Sequence, residues 1–134
     1  MSHTNEMLKA YPGSFDADAA LLAGAIEALN ECASICTQCA DACLAEQDVK
    51  MMVKCIRLDL DCSDICASTS RVLARQTAYN ASVTRAALEA CVQVCKACGD
   101  ECEHHGHHMA HCKICAESCR RCEKACGALL DSIS

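Results

Sequence analysis

The sequence CKICAESCRRCEKAC occupies residues 112–126 and contains five cysteines, separated by steps of three, four, three and four residues. These steps average 3.5 residues, which is the repeat of helices that pack together through one apolar face. On an α-helix, Cys112, Cys115, Cys119, Cys122 and Cys126 therefore lie along a single face. Thiols stand where such a face normally carries leucine and isoleucine.

Three other stretches repeat this pattern, and we call each of the four a thiol ladder. Two ladders have steps of four, three and four residues. The remaining ladder has three cysteines, and Asp59 stands where a fourth would fall. These three ladders contain Cys32, Cys36, Cys39, Cys43; Cys55, Cys62, Cys66; and Cys91, Cys95, Cys98, Cys102. The four ladders account for all 16 cysteines of the chain.

The pattern predicts four long helices. The first runs from a cap at Ser14, with Asp16 and Asp18 in its first turn, to about residue 46. Asp48 caps the second, which covers about 49–76, and Asn80 or Ser82 caps the third, which ends near residue 105 at the glycine of the His-rich string. The fourth starts at His107 or His108 and reaches residue 133.

Short connections make consecutive helices antiparallel neighbours. We therefore predict an all-α fold, an antiparallel up-down-up-down four-helix bundle over residues 14–134 with a cysteine-lined core. Residues 1–13 form an N-terminal segment with, at most, a short extra helix over 6–10. The bundle places one end of every ladder beside the connection between the first and second helices and the connection between the third and fourth, and we call this end the mouth. Leucines at positions 22, 73, 88 and 129 fall at the opposite end, the floor.

A core made of cysteine sacrifices buried volume relative to leucine, so another interaction has to offset the loss. Metal–thiolate bonds do this, because metal binding adds to folding stability. Thiolates select Cu(I), zinc or iron–sulfur clusters. Structural zinc prefers isolated tetrahedral sets, and the cysteine run of bacterial ferredoxins is absent. Cu(I) takes two thiolates and each thiolate can bridge two ions, which predicts about one Cu(I) per cysteine.

The four ladders on four helices resemble the bacterial copper storage protein family, and the resemblance covers about Ser14 to Ile133. It implies that Cu(I) fills the core, that all 16 cysteines are its ligands, and that His or Met residues lie at the mouth. It also implies a homotetramer. A tightly filled core predicts slow release of copper, which makes a cytosolic copper chaperone a further candidate partner. The chain departs from the family pattern at Asp59, which leaves only three thiols on the second helix.

The string HHGHHMAH, residues 104–111, falls at the mouth. Histidine and methionine bind copper, so this region is a candidate for metal uptake. The candidates are His104, His107, His108, His111 and Met52. A solvated polar loop would have a similar sequence, and that alternative stays open.

The net charge of the chain and its N-terminal sequence indicate which partners and which cellular compartment to expect. A net charge of −6 with scattered basic residues argues against a nucleic-acid partner. We find no run of 18 apolar residues, so we expect no membrane span. The first fifteen residues lack the features of a signal peptide, which predicts a cytoplasmic protein with reduced thiols rather than a disulfide scaffold.

The sequence therefore predicts a cytosolic copper storage and detoxification protein. No nucleophile with a neighbouring base stands out, so we expect no enzyme activity. A metallothionein-like zinc or cadmium buffer is one alternative. A thiol redox module that cycles disulfides is another, although its CxxC pairs would lie in mid-helix rather than at a helix start.

Overall fold

The structure is a computed structural model, and it describes residues 2–133. Within that range it contains five α-helices and one short 3₁₀ turn. The helices are α1 (His3–Ala10), α2 (Ala19–Leu44), α3 (Val53–Ala74), α4 (Ala81–His105) and α5 (Ala110–Ile133), and the 3₁₀ turn is Val49–Met52.

Helices α2 to α5 form the bundle. Helix α2 packs against α3 and α5, and α4 packs against the same two helices, so the four helices close around one core. Consecutive helices are joined by short connections and run in opposite directions. The predicted up-down-up-down four-helix bundle is confirmed.

The first long helix starts later than predicted. Helix α2 begins at Ala19, and its cap is Asp18 rather than Ser14. The Asp18 carboxylate accepts hydrogen bonds from the backbone N–H groups of Ala20 and Leu21, at 2.9 and 3.0 Å. A carboxylate at this position also meets the positive end of the helix dipole, which explains why it starts the helix.

The predicted cap at Asp48 is wrong. Its side chain makes no capping hydrogen bond within the described chain, and the next four residues form the 3₁₀ turn before α3 starts at Val53. The cap at Asn80 is confirmed, since its side chain accepts from the N–H groups of Ser82 and Val83. Helix α5 starts at Ala110, slightly later than predicted, because residues 106–109 form a turn.

The N-terminal helix is longer than predicted and packs on the bundle. Helix α1 starts at His3 rather than near Glu6, and its Leu8 is buried against α2. The Ser2 hydroxyl donates to the Glu27 carboxylate. Farther along, the Tyr11 hydroxyl lies 2.8 Å from the Thr77 hydroxyl oxygen, which ties the end of this segment to the floor.

A close contact joins α4 and α5. The Arg120 guanidinium of α5 reaches the Asp100 and Glu103 carboxylates of α4, at 2.6 and 2.8 Å. A Cβ atom at Gly99 would lie 2.9 Å from this guanidinium. Glycine at this position therefore lets the arginine side chain lie across α4 at the level of the thiols.

Helix α2 is long and apolar enough, by length and composition, to cross a membrane. Its apolar residues are accounted for by packing, since Leu22, Leu29 and four cysteines of this helix are buried against its neighbours.

The floor is a plug of hydrocarbon side chains. Five buried leucines form it, each 2% exposed or less: Leu22, Leu29, Leu73, Leu88 and Leu129. They continue the faces that carry the thiol ladders, so the core changes from sulfur to hydrocarbon part-way along the bundle. The plug supplies the apolar burial that a thiol core lacks.

Truncating the plug is expected to destabilise the empty protein without changing its copper capacity. Leu88→Ala should lower the free energy of unfolding of the reduced apo-protein by about 2–5 kcal/mol, because it leaves a cavity in a closed core. Urea denaturation measures the loss. Val83→Ala, on the exposed side of the same helix, is the control and should change stability by about 0.5 kcal/mol or less. A lower copper capacity in Leu88→Ala would contradict the conclusion that the plug stabilises the fold without taking part in copper binding.

Candidate metal centre

The four ladders converge on the bundle axis. All 16 cysteines are buried, each 2% exposed or less, and all are free thiols. Sulfur atoms on neighbouring helices approach closely. The Sγ–Sγ distance is 3.7 Å between Cys36 and Cys119, 3.7 Å between Cys66 and Cys95, and 3.8 Å between Cys32 and Cys62.

The thiols form overlapping groups with the spacing of metal ligands. Within residues 2–133 there are six groups of three or more ligand atoms that all lie within 4.8 Å of one another, and five of them, with four ligands each, describe the array. From floor to mouth they are Cys32, Cys66, Cys95, Cys122; Cys32, Cys36, Cys62, Cys119; Cys36, Cys98, Cys115, Cys119; Cys39, Asp59, Cys102, Cys115; and Cys39, Cys43, Cys112, His111. Each group shares one thiol with the next, and the second and third groups share two, Cys36 and Cys119. The core is a continuous array of ligands rather than a set of separate sites.

The sulfur spacing suits bridging by metal ions. A metal–thiolate bond is about 2.3 Å long, so one ion can join two sulfurs up to about 4.6 Å apart. The measured separations of 3.7–4.0 Å fall within that reach. They are far longer than a disulfide bond of about 2.05 Å. Small side-chain movements would therefore let neighbouring thiols share an ion.

Asp59 occupies the missing position of the α3 ladder and is fully buried. Its Oδ1 accepts hydrogen bonds from the thiols of Cys98, Cys115 and Cys102, at 3.1, 3.3 and 3.5 Å. Burial, followed by the neighbouring Cys98 sulfur, raises the pKa of Asp59 to about 9. The empty protein therefore holds this carboxyl in its protonated form at neutral pH.

This carboxyl should make the empty protein less stable as pH rises. A folded pKa raised above the unfolded value stabilises the fold below about pH 4, and that contribution is lost as pH rises through about 9. Asp59→Asn mimics the protonated acid and removes the titration. We expect the stability advantage of the variant to grow across this window, measured by denaturation of both reduced apo-proteins at several pH values. Identical pH dependence would show that the folded carboxyl is already ionised.

His111 is the histidine that contacts the thiol core. It lies in the first turn of α5, and its Nδ1 is 3.4 Å from the Cys39 sulfur and 3.5 Å from the Cys112 sulfur. Burial alone would lower the pKa of His111, but hydrogen bonds with Cys39 and Glu46 outweigh it and raise the pKa above its ordinary value. The ring thus connects the last group of thiols to the mouth.

A family model described as copper storage protein matches residues 18–131. This chain belongs to the copper storage protein family. The resemblance drawn from the ladders is therefore confirmed. No match was found among curated proteins.

Solved structures of copper storage proteins from Streptomyces lividans are closely similar. Ccsp loaded with 10 copper equivalents is 50% identical, with a TM-score of 0.95 over 96% of this chain and 98% of that chain. Its H111A variant is 52% identical, with a TM-score of 0.87 over 88% and 98%. A cytosolic copper storage protein with five coppers is 54% identical, with a TM-score of 0.83 over 84% and 93%.

The other histidines predicted at the mouth of this copper storage protein do not reach its thiols. His104, His107 and His108 are exposed, and none belongs to the five ligand groups described above. The turn at 106–109 interrupts the helix, so His104 and His108, although four residues apart, do not share one helical face. Met52 is fully buried at the start of α3.

His105 was missed by the sequence reasoning, although it lies in the same string. It is buried, and its Nε2 is 2.9 Å from the Glu101 carboxylate one turn earlier on α4. The Lys54 ammonium lies 3.7 Å from the same carboxylate. The i, i+4 spacing of Glu101 and His105 was the available signal, since such residues face each other on a helix.

Proposed function

We propose that this protein stores Cu(I) in its thiol core, in the cytosol, and so keeps free copper low. The overlap of the ligand groups carries the proposal. A discrete structural site needs four ligands, whereas here sulfur atoms within bonding reach of a shared ion extend from Cys122 near the floor to Cys43 at the mouth. The relative that holds 10 copper equivalents supports storage of many ions.

The proposed ligands are the 16 cysteine thiols. Cu(I) is soft and prefers thiolates, and its binding releases the thiol protons. Loading on the order of one ion per cysteine follows if every thiolate bridges two ions. Asp59, a hard oxygen ligand beside Cys102 and Cys115, is the least favourable member of the array for Cu(I). His111 supplies the ligand nearest the mouth.

Several finer features remain part of the proposal. Exposed His104, His107 and His108 lie near the mouth, where they can collect copper, and buried Met52 offers a thioether there. A homotetramer is expected from the family. A cytosolic copper chaperone as partner and a non-enzymatic role are also part of the proposal. The proposed division of the chain is an N-terminal segment, residues 1–13, which packs on the bundle, and the cysteine-rich bundle region, residues 14–134.

Titration of the reduced apo-protein with Cu(I), under a competing chelator and without oxygen, tests the storage function. We expect saturation on the order of 16 ions per chain. Zinc serves as the comparison, because tetrahedral coordination by four thiolates limits 16 thiols to about four ions. Saturation by one or two Cu(I) would reject storage, and preference for zinc over copper would favour the metallothionein-like alternative.

A further inference from the structure

The Glu46 side chain makes a short polar contact at the mouth. Its Oε2 lies 2.7 Å from Nε2 of His111, across the gap between the end of α2 and the start of α5. The two side chains are partly buried, 33% and 26% exposed. The opposite ring nitrogen, Nδ1, is the atom that approaches the sulfurs of Cys39 and Cys112. The imidazole is thus held between a carboxylate and two thiols.

We propose that Glu46 is a positioning residue for copper uptake, which fixes His111 in the tautomer that presents a free Nδ1 lone pair to the Cys39–Cys112 pair. This inference rests on the proposed storage function. A neutral imidazole has one N–H donor and one acceptor nitrogen. Donation from Nε2–H to Glu46 leaves Nδ1 as the acceptor, 3.4 and 3.5 Å from the two sulfurs.

The position of Glu46 argues for such a role. It follows the last turn of α2, where its N–H donates to the Cys43 carbonyl. An acidic side chain there faces the negative end of the helix dipole, an unfavourable arrangement of roughly 0.3–1 kcal/mol. A hydrogen bond to the imidazole offsets that cost. Carboxylates that accept from a ligating histidine commonly orient the ring and increase its basicity, which strengthens metal binding.

The His105–Glu101 pair provides an internal comparison. It has the same chemistry and a similar distance, 2.9 Å, but both residues lie on α4 and Glu101 also pairs with Lys54. His105 is absent from the five ligand groups described above. Removing the Glu101 carboxylate therefore removes an equivalent interaction without touching the Glu46–His111 contact.

The first test is made without copper. ¹⁵N NMR of histidine-labelled, reduced apo-protein, recorded above the titration of His111, reports which ring nitrogen carries the proton. We expect Nε2–H in the native protein and in Glu101→Ala, and a mixture of tautomers in Glu46→Ala. Glu46→Gln should keep Nε2–H, because its amide oxygen still accepts. A pure Nε2–H tautomer in Glu46→Ala would overturn the proposal.

The second test measures the rate at which the first equivalent of Cu(I) is taken up from a chelator. Glu46→Ala should slow it by about tenfold or more, the effect typical of losing a carboxylate behind a metal ligand. Glu101→Ala should match the native rate, and Glu46→Ala should add nothing in a His111→Ala background. A native rate in Glu46→Ala would overturn the proposal. Final capacity should be unchanged, so a low capacity in the native protein rejects storage and not this inference.

Discussion

Reduced apo-protein that has been filled with Cu(I) is expected to melt more than about 20 °C above the empty protein. Each ion that binds only the folded chain, at a hundredfold excess over its dissociation constant, contributes about 2.7 kcal/mol. The unfolded chain keeps its CxxC and CxxxC pairs and also binds copper. The stabilisation is therefore the difference between the free energies of copper binding to the folded and the unfolded chain. A net stabilisation of several kcal/mol, summed over many ions, is enough to produce the expected shift. About 1 kcal/mol raises the melting temperature of a domain this size by roughly 4 °C.

Circular dichroism of both forms during heating without oxygen measures the shift. Apo-protein mixed with the same copper already held by excess strong chelator is the control and should melt like apo-protein. An unchanged melting temperature at full loading would mean that the folded core binds copper no better than the unfolded chain does. That result would contradict the assembly of the ladders into one array.

Substituting valine at one middle layer of thiols is expected to halve the copper capacity. The layer has one thiol from each bundle helix, and its sulfur atoms lie 3.8–4.0 Å from their neighbours: Cys32, Cys62, Cys95 and Cys119. If copper enters at the mouth, as proposed, it moves inward by exchanging one thiolate for the next, and valine offers no ligand. Along α4 and α5 the next thiols then lie seven residues, about 10 Å, apart. Eight thiols remain on the mouth side and four become isolated near the floor, so we expect about eight ions.

A second fourfold valine variant is the matched control. It replaces four floor thiols, Cys66, Cys91, Cys122 and Cys126, and leaves the route from the mouth intact. We expect about 12 ions in this variant, one for each remaining cysteine. Each variant carries an overpacking cost of about 1–3 kcal/mol per site at most, and circular dichroism of the loaded proteins checks folding. Equal capacities in the two variants would show that copper enters through the sides of the bundle.

The sequence predicts the bundle and the thiol core well because cysteine spacing follows helical geometry directly. Residues at steps of three and four must share a face, and short connections leave one simple arrangement for four helices. Asp59 could be placed on its ladder for the same reason. Residue spacing therefore predicts which side chains share a face of each helix, and the order of the helices predicts how those helices pack.

Contacts between the ends of different helices were not predictable in this way. Glu46 lies 65 residues from His111, and neither position carries a periodic signal that links them. The helix starts also depended on local competition. Asp18 captured two backbone donors and displaced the expected start at Ser14, whereas the Val49–Met52 turn left Asp48 without a capping bond. A string of five histidines likewise gives no sign of which ring turns inward.

The boundary between sulfur and hydrocarbon can be moved along the bundle. Leu29 precedes the α2 ladder and Leu88 precedes the α4 ladder, each by three residues, and Leu129 follows the α5 ladder by three residues. Each turn of about 5.4 Å can thus carry either ligands or leucine. Extending the thiols by one turn would enlarge the cargo by about four ligand positions and would remove the side chains that keep the empty chain folded. A higher copper capacity and a stable copper-free fold therefore require different side chains at the same helical turns.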